Sequence, residues 1–148
     1  MRLPMIGEDV DIPQTTNMVD AFLEAGFNYF DTAHGYIDGK SETAIRDCLS
    51  ARYDREDFVL ANKLSAWFFE KEEDVVPLFE SQLALCGVEY FDFYLVHCVD
   101  EENIDAYLDK KKGTVEYILE QIFRKSYAFL IKDLQFLMHQ HVSDILIK

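Results

Sequence analysis

The sequence predicts an α/β protein built on a parallel sheet. Three observations carry that expectation. Short, nearly continuous apolar runs at 27–30, 58–61 and 91–96 alternate with segments whose apolar residues recur at helical spacing. The helix-plus-strand unit recurs at roughly thirty residues, the size of a βα repeat. Each apolar run ends in a titratable residue, at Asp31, Lys63 and His97. In parallel α/β sheets the carboxyl ends of the strands face one side, so these three groups are expected at one place.

Taken in order, residues 1–12 read as mostly irregular. Pro13 suits the first turn of a helix, and Met18, Val19, Phe22 and Leu23 continue it to Gly26. A buried strand over 27–31 follows. The loop after it is rich in small residues and carries Tyr36, and Gly39 breaks it. Ser41 is expected to cap a helix over 41–50, with Glu42 as a charge in its first turn. A second strand spans 58–63. An acidic start at 70–74 opens a helix that runs to Gly87 with Pro77 inside it. A third strand spans 91–97, and a helix is expected near 101–110. From 114 to 148 there is no Gly and no Pro. The apolar spacing of Val115, Ile118, Leu119, Ile122, Phe123, Leu130, Leu134, Leu137 and Met138 predicts a long amphipathic helix.

The 148 residues and 49% apolar composition suit one domain with a core. The net charge of -14 argues against nucleic acid and against anionic membrane surfaces, both of which demand Lys and Arg. Cys48, Cys86 and Cys98 are widely spaced, which favours reduced thiols in a cytoplasmic chain over a disulfide framework or a zinc site. No apolar run approaches the ~20 residues of a membrane span, and the N-terminal segment does not read as a signal peptide.

The polar strand ends and Tyr36 form a chemical set. A free phenol is a poor proton donor at neutral pH, and an ammonium beside it favours the phenolate. A buried lysine needs a counter-ion, which Asp31 can supply to Lys63. An imidazole at a neighbouring strand end, His97, can orient a carbonyl oxygen. Such a set protonates the alkoxide formed when a carbonyl receives hydride, and hydride demands a cofactor.

Here the sequence resembles the aldo-keto reductase family. The residues carrying the resemblance are Phe30-Asp31-Thr32-Ala33 with Tyr36 and Ser41-Glu42, then Ala61-Asn62-Lys63, then Phe91-Asp92-Phe93-Tyr94-Leu95-Val96-His97. They reproduce the family's Asp, Tyr, Lys and His tetrad in its usual order, from Met1 to about Gln121. The branch with a C-terminal iron-sulfur segment is the most similar, although that segment is absent. The resemblance implies a fragment of a (β/α)8 TIM barrel, about half of it, that uses NADP(H) without a Rossmann motif. It implies an NADP-dependent oxidoreductase reducing small aldehydes or ketones. In it Tyr36 is the general acid, Lys63 favours its phenolate, Asp31 pairs with Lys63, and His97 orients the carbonyl.

The expected organisation is a half barrel over 1–121 and a divergent helical tail over 122–148. Of 14 Lys+Arg and 28 Asp+Glu, the tail holds four and two, leaving ten and 26 before it. The alternative reading is an inactive remnant that self-associates or recruits a partner through open sheet edges. Other residues read more simply. His34 reads as an ordinary loop residue rather than part of the site lining, and Cys98 as a small buried residue. Trp67, Phe68 and Phe69 suit a substrate pocket or a cap over the rim equally well. His139 and His141 do not share a helical face and do not read as metal ligands.

Overall fold

The computed structural model describes residues 2–99, residue 107 and a strand at 126–131. The chain opens on a short antiparallel hairpin, β1 (Met5–Ile6) and β2 (Asp9–Val10), where an irregular lead-in was expected. Asp11 then caps helix α1 (Ile12–Glu24), its carboxylate accepting from the Gln14 amide at 3.0 Å, with Pro13 in the first turn as predicted.

The main sheet has four strands in chain order: β3 (Tyr29–Asp31), β4 (Val59–Ser65), β5 (Phe91–His97) and β6 (Ser126–Ile131). All three pairings are parallel. Tyr29 lies opposite Val59, Lys63 opposite Leu95, and Ser65 opposite His97. Between β3 and β4 the chain forms α2 (Lys40–Ile45), continued by a π-helical turn over Arg46–Ser50. Helix α3 (Glu72–Cys86) connects β4 to β5 and runs through Pro77 to end at Gly87. The alternation of helix and parallel strand is the predicted α/β pattern. Among the described residues the sheet is open, with no closed barrel.

Successive residues of a strand point to opposite sides, and the two sides of this sheet differ. Phe30, Leu60, Leu64, Tyr94 and Val96 are buried and belong to one core cluster with Val19, Ile45, Leu49 and Phe79. In that cluster Phe30 meets Phe22 edge-on at 5.3 Å, and Phe79 meets Tyr94 at 4.9 Å. Asp31, Lys63 and His97 belong to the other side.

Three expectations are corrected. The run 27–30 is not uniformly buried: Phe27 and Tyr29 are exposed and only Phe30 enters the core. Successive side chains of β3 point to opposite faces of the sheet, so Phe30 enters the core and Tyr29 faces away from it. Ser41 does not cap α2. Gly39 precedes that helix, and the Ser41 hydroxyl instead meets the Thr32 hydroxyl at 2.8 Å in the core. The predicted helical tail fails at 126–131, which pair with β5 from Phe91↔Ser126 to Val96↔Ile131. A short apolar run does not separate helix from strand by periodicity, and the open edge of β5 offers a ladder of hydrogen bonds that overrides helical spacing. The remainder of the tail and the helix expected near 101–110 lie outside the described residues, apart from Tyr107.

Candidate active site

The carboxyl end of the sheet is assembled from β3, β4, β5 and the loop after β3. Lys63 enters it from β4 with its side chain 6% exposed. Its ammonium donates to Asp31 Oδ1 at 2.7 Å and to the Thr32 carbonyl at 2.7 Å. An ammonium buried this far demands such partners. Because Asp31 ends β3 and Lys63 lies in the neighbouring strand, the parallel register itself supplies the pair.

Tyr36 reaches back over that pair. Lys63 Nζ sits 4.8 Å from the centre of the Tyr36 ring, against its face. The Tyr36 hydroxyl lies 3.5 Å from His97 Nε2, at the outer edge of hydrogen bonding, and the two rings meet edge-on at 5.6 Å. The backbone that presents Tyr36 is unusual. Ile37, Asp38 and Gly39 have φ of 53°, 52° and 84°. Only Gly39 adopts the left-handed region without steric cost, and Ile37, being β-branched, pays most. The turn is held by Gly39 and Ser41 amides donating to the Tyr36 carbonyl, both at 3.2 Å. Strain of this kind clusters at functional sites.

His97 is fixed from several directions. Its Nδ1 lies 2.7 Å from Ser65 Oγ, and its carbonyl accepts from the Tyr107 hydroxyl at 3.0 Å. That hydroxyl also accepts from the Ala66 amide at 2.8 Å, tying the ends of β4 and β5 together. Trp67, which is largely exposed, meets the His97 ring edge-on at 5.8 Å. Phe68 packs edge-on against His34 at 4.9 Å and approaches Gly35 so closely that an added Cβ would lie 3.1 Å from its ring. Phe69 points into the core instead. The aromatic triplet therefore divides, with Trp67 and Phe68 at the rim and Phe69 beneath it.

A second layer lies behind the site on the helix side of the sheet. Glu42 is fully buried, and its carboxylate takes His34 Nδ1 at 2.8 Å and Asn62 Nδ2 at 2.8 Å. Asn62 Oδ1 accepts the Lys63 amide at 2.8 Å and Gln82 Nε2 at 3.1 Å. Gln82 Oε1 in turn accepts the Tyr94 hydroxyl at 2.5 Å. Burial, and then the Glu42 carboxylate, hold the Tyr94 phenol well above its ordinary range. The same two causes push the Cys86 thiol up.

The structure thus brings Asp31, Tyr36, Lys63 and His97 together as expected. Sequence reasoning underestimated two other residues. Glu42 is a buried hub rather than a helix-start charge, and His34 is its partner rather than a loop bystander. No local signal marks a buried glutamate, because its partners come from elements 8 and 20 positions away. Cys98, expected to be buried, is exposed with φ of 52°.

Comparison with known proteins places the fold and the family. The fold is that of part of a barrel: the structure aligns with an aldo-keto reductase from Klebsiella pneumoniae solved in complex with NADPH. The TM-score is 0.68 at 23% identity, covering 87% of this chain and 43% of that one. The sequence profile of the Aldo/keto reductase family matches residues 1–130, and the chain belongs to that family. An aldo-keto reductase of Mycobacterium sp. (strain KMS) is 36% identical over 92 residues, which are 61% of this chain and 32% of that protein. The uncharacterized oxidoreductase YqkF of Bacillus subtilis (strain 168) is 27% identical over 116 residues, covering 68% of this chain and 37% of that protein. The chain therefore spans about a third of the length of these curated relatives. Among the described residues no helix is long and apolar enough to cross a membrane.

Proposed function

We propose that this chain carries the proton-transfer half of an NADP(H)-dependent carbonyl reductase site. The observation that supports the reading is the convergence of the Tyr36 hydroxyl on His97 Nε2, with the Lys63 ammonium beneath the Tyr36 ring and Asp31 holding that ammonium. The donor set fits the reacting end of a nicotinamide cofactor and a small carbonyl. Among the described residues Lys40, Arg46, Arg52, Arg55 and Lys71 are each paired with a carboxylate.

When bound, a reduced nicotinamide supplies hydride to the carbonyl carbon. Every remaining task falls to side chains of this chain. His97 Nε2 and the Tyr36 hydroxyl orient the carbonyl oxygen. As the C–H bond forms and negative charge collects on that oxygen, the Tyr36 O–H transfers its proton to it, giving the alcohol. The phenolate left behind faces the Lys63 ammonium, and Asp31 with the Thr32 carbonyl keeps that ammonium in place. Trp67 and Phe68 cover the rim against which an apolar substituent would lie.

The test is NADPH binding by the purified chain, followed by fluorescence, together with turnover of a reactive aldehyde. Tyr36→Phe is expected to bind NADPH as the parent does, retain its circular dichroism, and lose at least ~100-fold in turnover, the usual contribution of a positioned general acid. Equal turnover by parent and Tyr36→Phe would remove the mechanism.

A second reading, a non-catalytic self-associating module, is favoured by the exposed cluster of Met18, Phe22, Phe27 and Tyr29 along the β3 edge. Concentration-dependent association by sedimentation, without NADPH binding or turnover, is its expected signature.

A further inference from the structure

We infer that Ser65 is a positioning residue that fixes His97 in the form carrying its proton on Nε2. The inference rests on the reading of His97 as the group that orients the carbonyl, and it names the residue that gives it that capacity.

The argument is one of hydrogen-bond supply. Ser65 ends β4 directly opposite His97 and is 1% exposed. Its hydroxyl meets His97 Nδ1 at 2.7 Å. A hydroxyl has one proton to donate and can accept as well. Were Nδ1 protonated, it would donate to Ser65 Oγ, and the Ser65 proton would then lose its acceptor, since among the described residues His97 is the partner of that hydroxyl. A buried donor left unmade is costly. The arrangement that satisfies both groups has Ser65 donating to Nδ1. The neutral ring then carries its proton on Nε2, the nitrogen that faces the Tyr36 hydroxyl. The ring cannot easily escape this bond. Tyr36 and Trp67 stand edge-on to it, and the Tyr107 hydroxyl pins the His97 carbonyl and the Ala66 amide, fixing both strand ends that carry the pair.

The consequence is chemical. With the proton on Nε2, His97 is a hydrogen-bond donor to whatever oxygen lies beside Tyr36. With the proton on Nδ1 it would be an acceptor there, would compete for the Tyr36 proton, and would repel a carbonyl oxygen. Ser65 thereby selects between a ring that supports carbonyl reduction and one that opposes it, without touching the substrate.

The experiment is a long-range proton–nitrogen spectrum of the full chain labelled with 15N-histidine at about pH 8, where an unperturbed imidazole is neutral. The His97 signals are identified by their loss in His97→Gln. The expected result is an excess of at least ~10-fold of the Nε2–H form, the size expected when a buried hydroxyl would otherwise lose its acceptor. Ser65→Ala is expected to bring the two forms towards parity, and Ser65→Thr to restore the excess, while the His34 signals stay in place. A proton on Nδ1 in the parent chain overturns the assignment, and that measurement decides even if Ser65→Ala fails to fold. An unchanged Nε2–H excess in a folded Ser65→Ala also overturns it. The readout needs neither cofactor nor turnover, so an Nε2–H ring in a chain that never reduces a carbonyl counts against the reductase reading alone.

Discussion

Asn62 and Lys63 are neighbours in β4 and face opposite sides of the sheet. Asn62 looks towards the helices and spends every polar atom on internal partners: Glu42, Gln82 and the Lys63 amide. Lys63 looks towards the open end and holds a carboxylate whose side chain is 36% exposed. One side is a sealed network with strict hydrogen-bond accounting. The other is a set of groups brought close but left reachable, with the contact between the two key rings at 3.5 Å rather than tight. The buried hydrogen bonds are concentrated behind the candidate site, and the proposed chemistry lies in front of it. Two bonds join the sides: the Lys63 amide donates to Asn62 Oδ1, and the Lys63 carbonyl accepts from Gln82 Nε2.

That contrast can be broken from the sealed side first. Asn62→Ala removes one partner each from the Glu42 carboxylate, Gln82 Nε2 and the Lys63 amide, and is expected to cost about 3 kcal/mol by chemical denaturation. A loss below about 1 kcal/mol would mean that water or rearrangement satisfies the network and that the back of the site is not the firm side. Next comes the mouth. Asp31→Asn leaves Lys63 the Thr32 carbonyl, and solvent screens the partly exposed pair, so about 1–2 kcal/mol is expected, shrinking in high salt. A loss equal to that of Asn62→Ala would erase the distinction.

The smallest effect sharpens the comparison by pH. Burial and the Glu42 charge raise the folded-state values of Cys86 and Tyr94 above the ordinary 9.0 and 10.0. The unfolded chain therefore releases these protons first and binds fewer of them above about pH 9. Stability should be flat below that point with respect to these groups and fall above it, by at most ~1.4 kcal/mol per pH unit for each group. Cys86→Ala should reduce the fall between about pH 9 and 10, burial of the Cys48 thiol keeping part of it, measured as the denaturation midpoint against pH. A slope identical to that of the parent would show that the thiol is not the group responsible.

The strands and the four convergent residues were legible because they obey short rules. Apolar runs have a length, polar residues end them, and parallel strands present those ends together. Glu42 was not legible, because a buried charge is defined by distant partners that no window of sequence contains. Ser41 misled for a related reason: a serine just before a helical run has the look of a cap, but Thr32, nine positions earlier, claimed its hydroxyl. The stretch 126–131 misled because its helical spacing is real and its neighbour, the free edge of β5, is not local. Tyr29 read as buried since nothing in its own run says which face of the sheet is covered.

The internal repeat has a consequence for how the chain assembles. The Asp31–Lys63, Leu60–Asp92 and Ser65–His97 bonds each join residues 32 positions apart. Because strand order equals chain order, each of these links closes a loop of the same size onto a strand already made. Closure entropy depends only weakly on loop length, so equal loops cost nearly the same at every step. No strand has to wait for a later one to be inserted beside it. During synthesis β4 can dock on β3 before β5 has left the ribosome, and the pocket of polar strand ends would then be built one wall at a time, in the order in which its residues are translated.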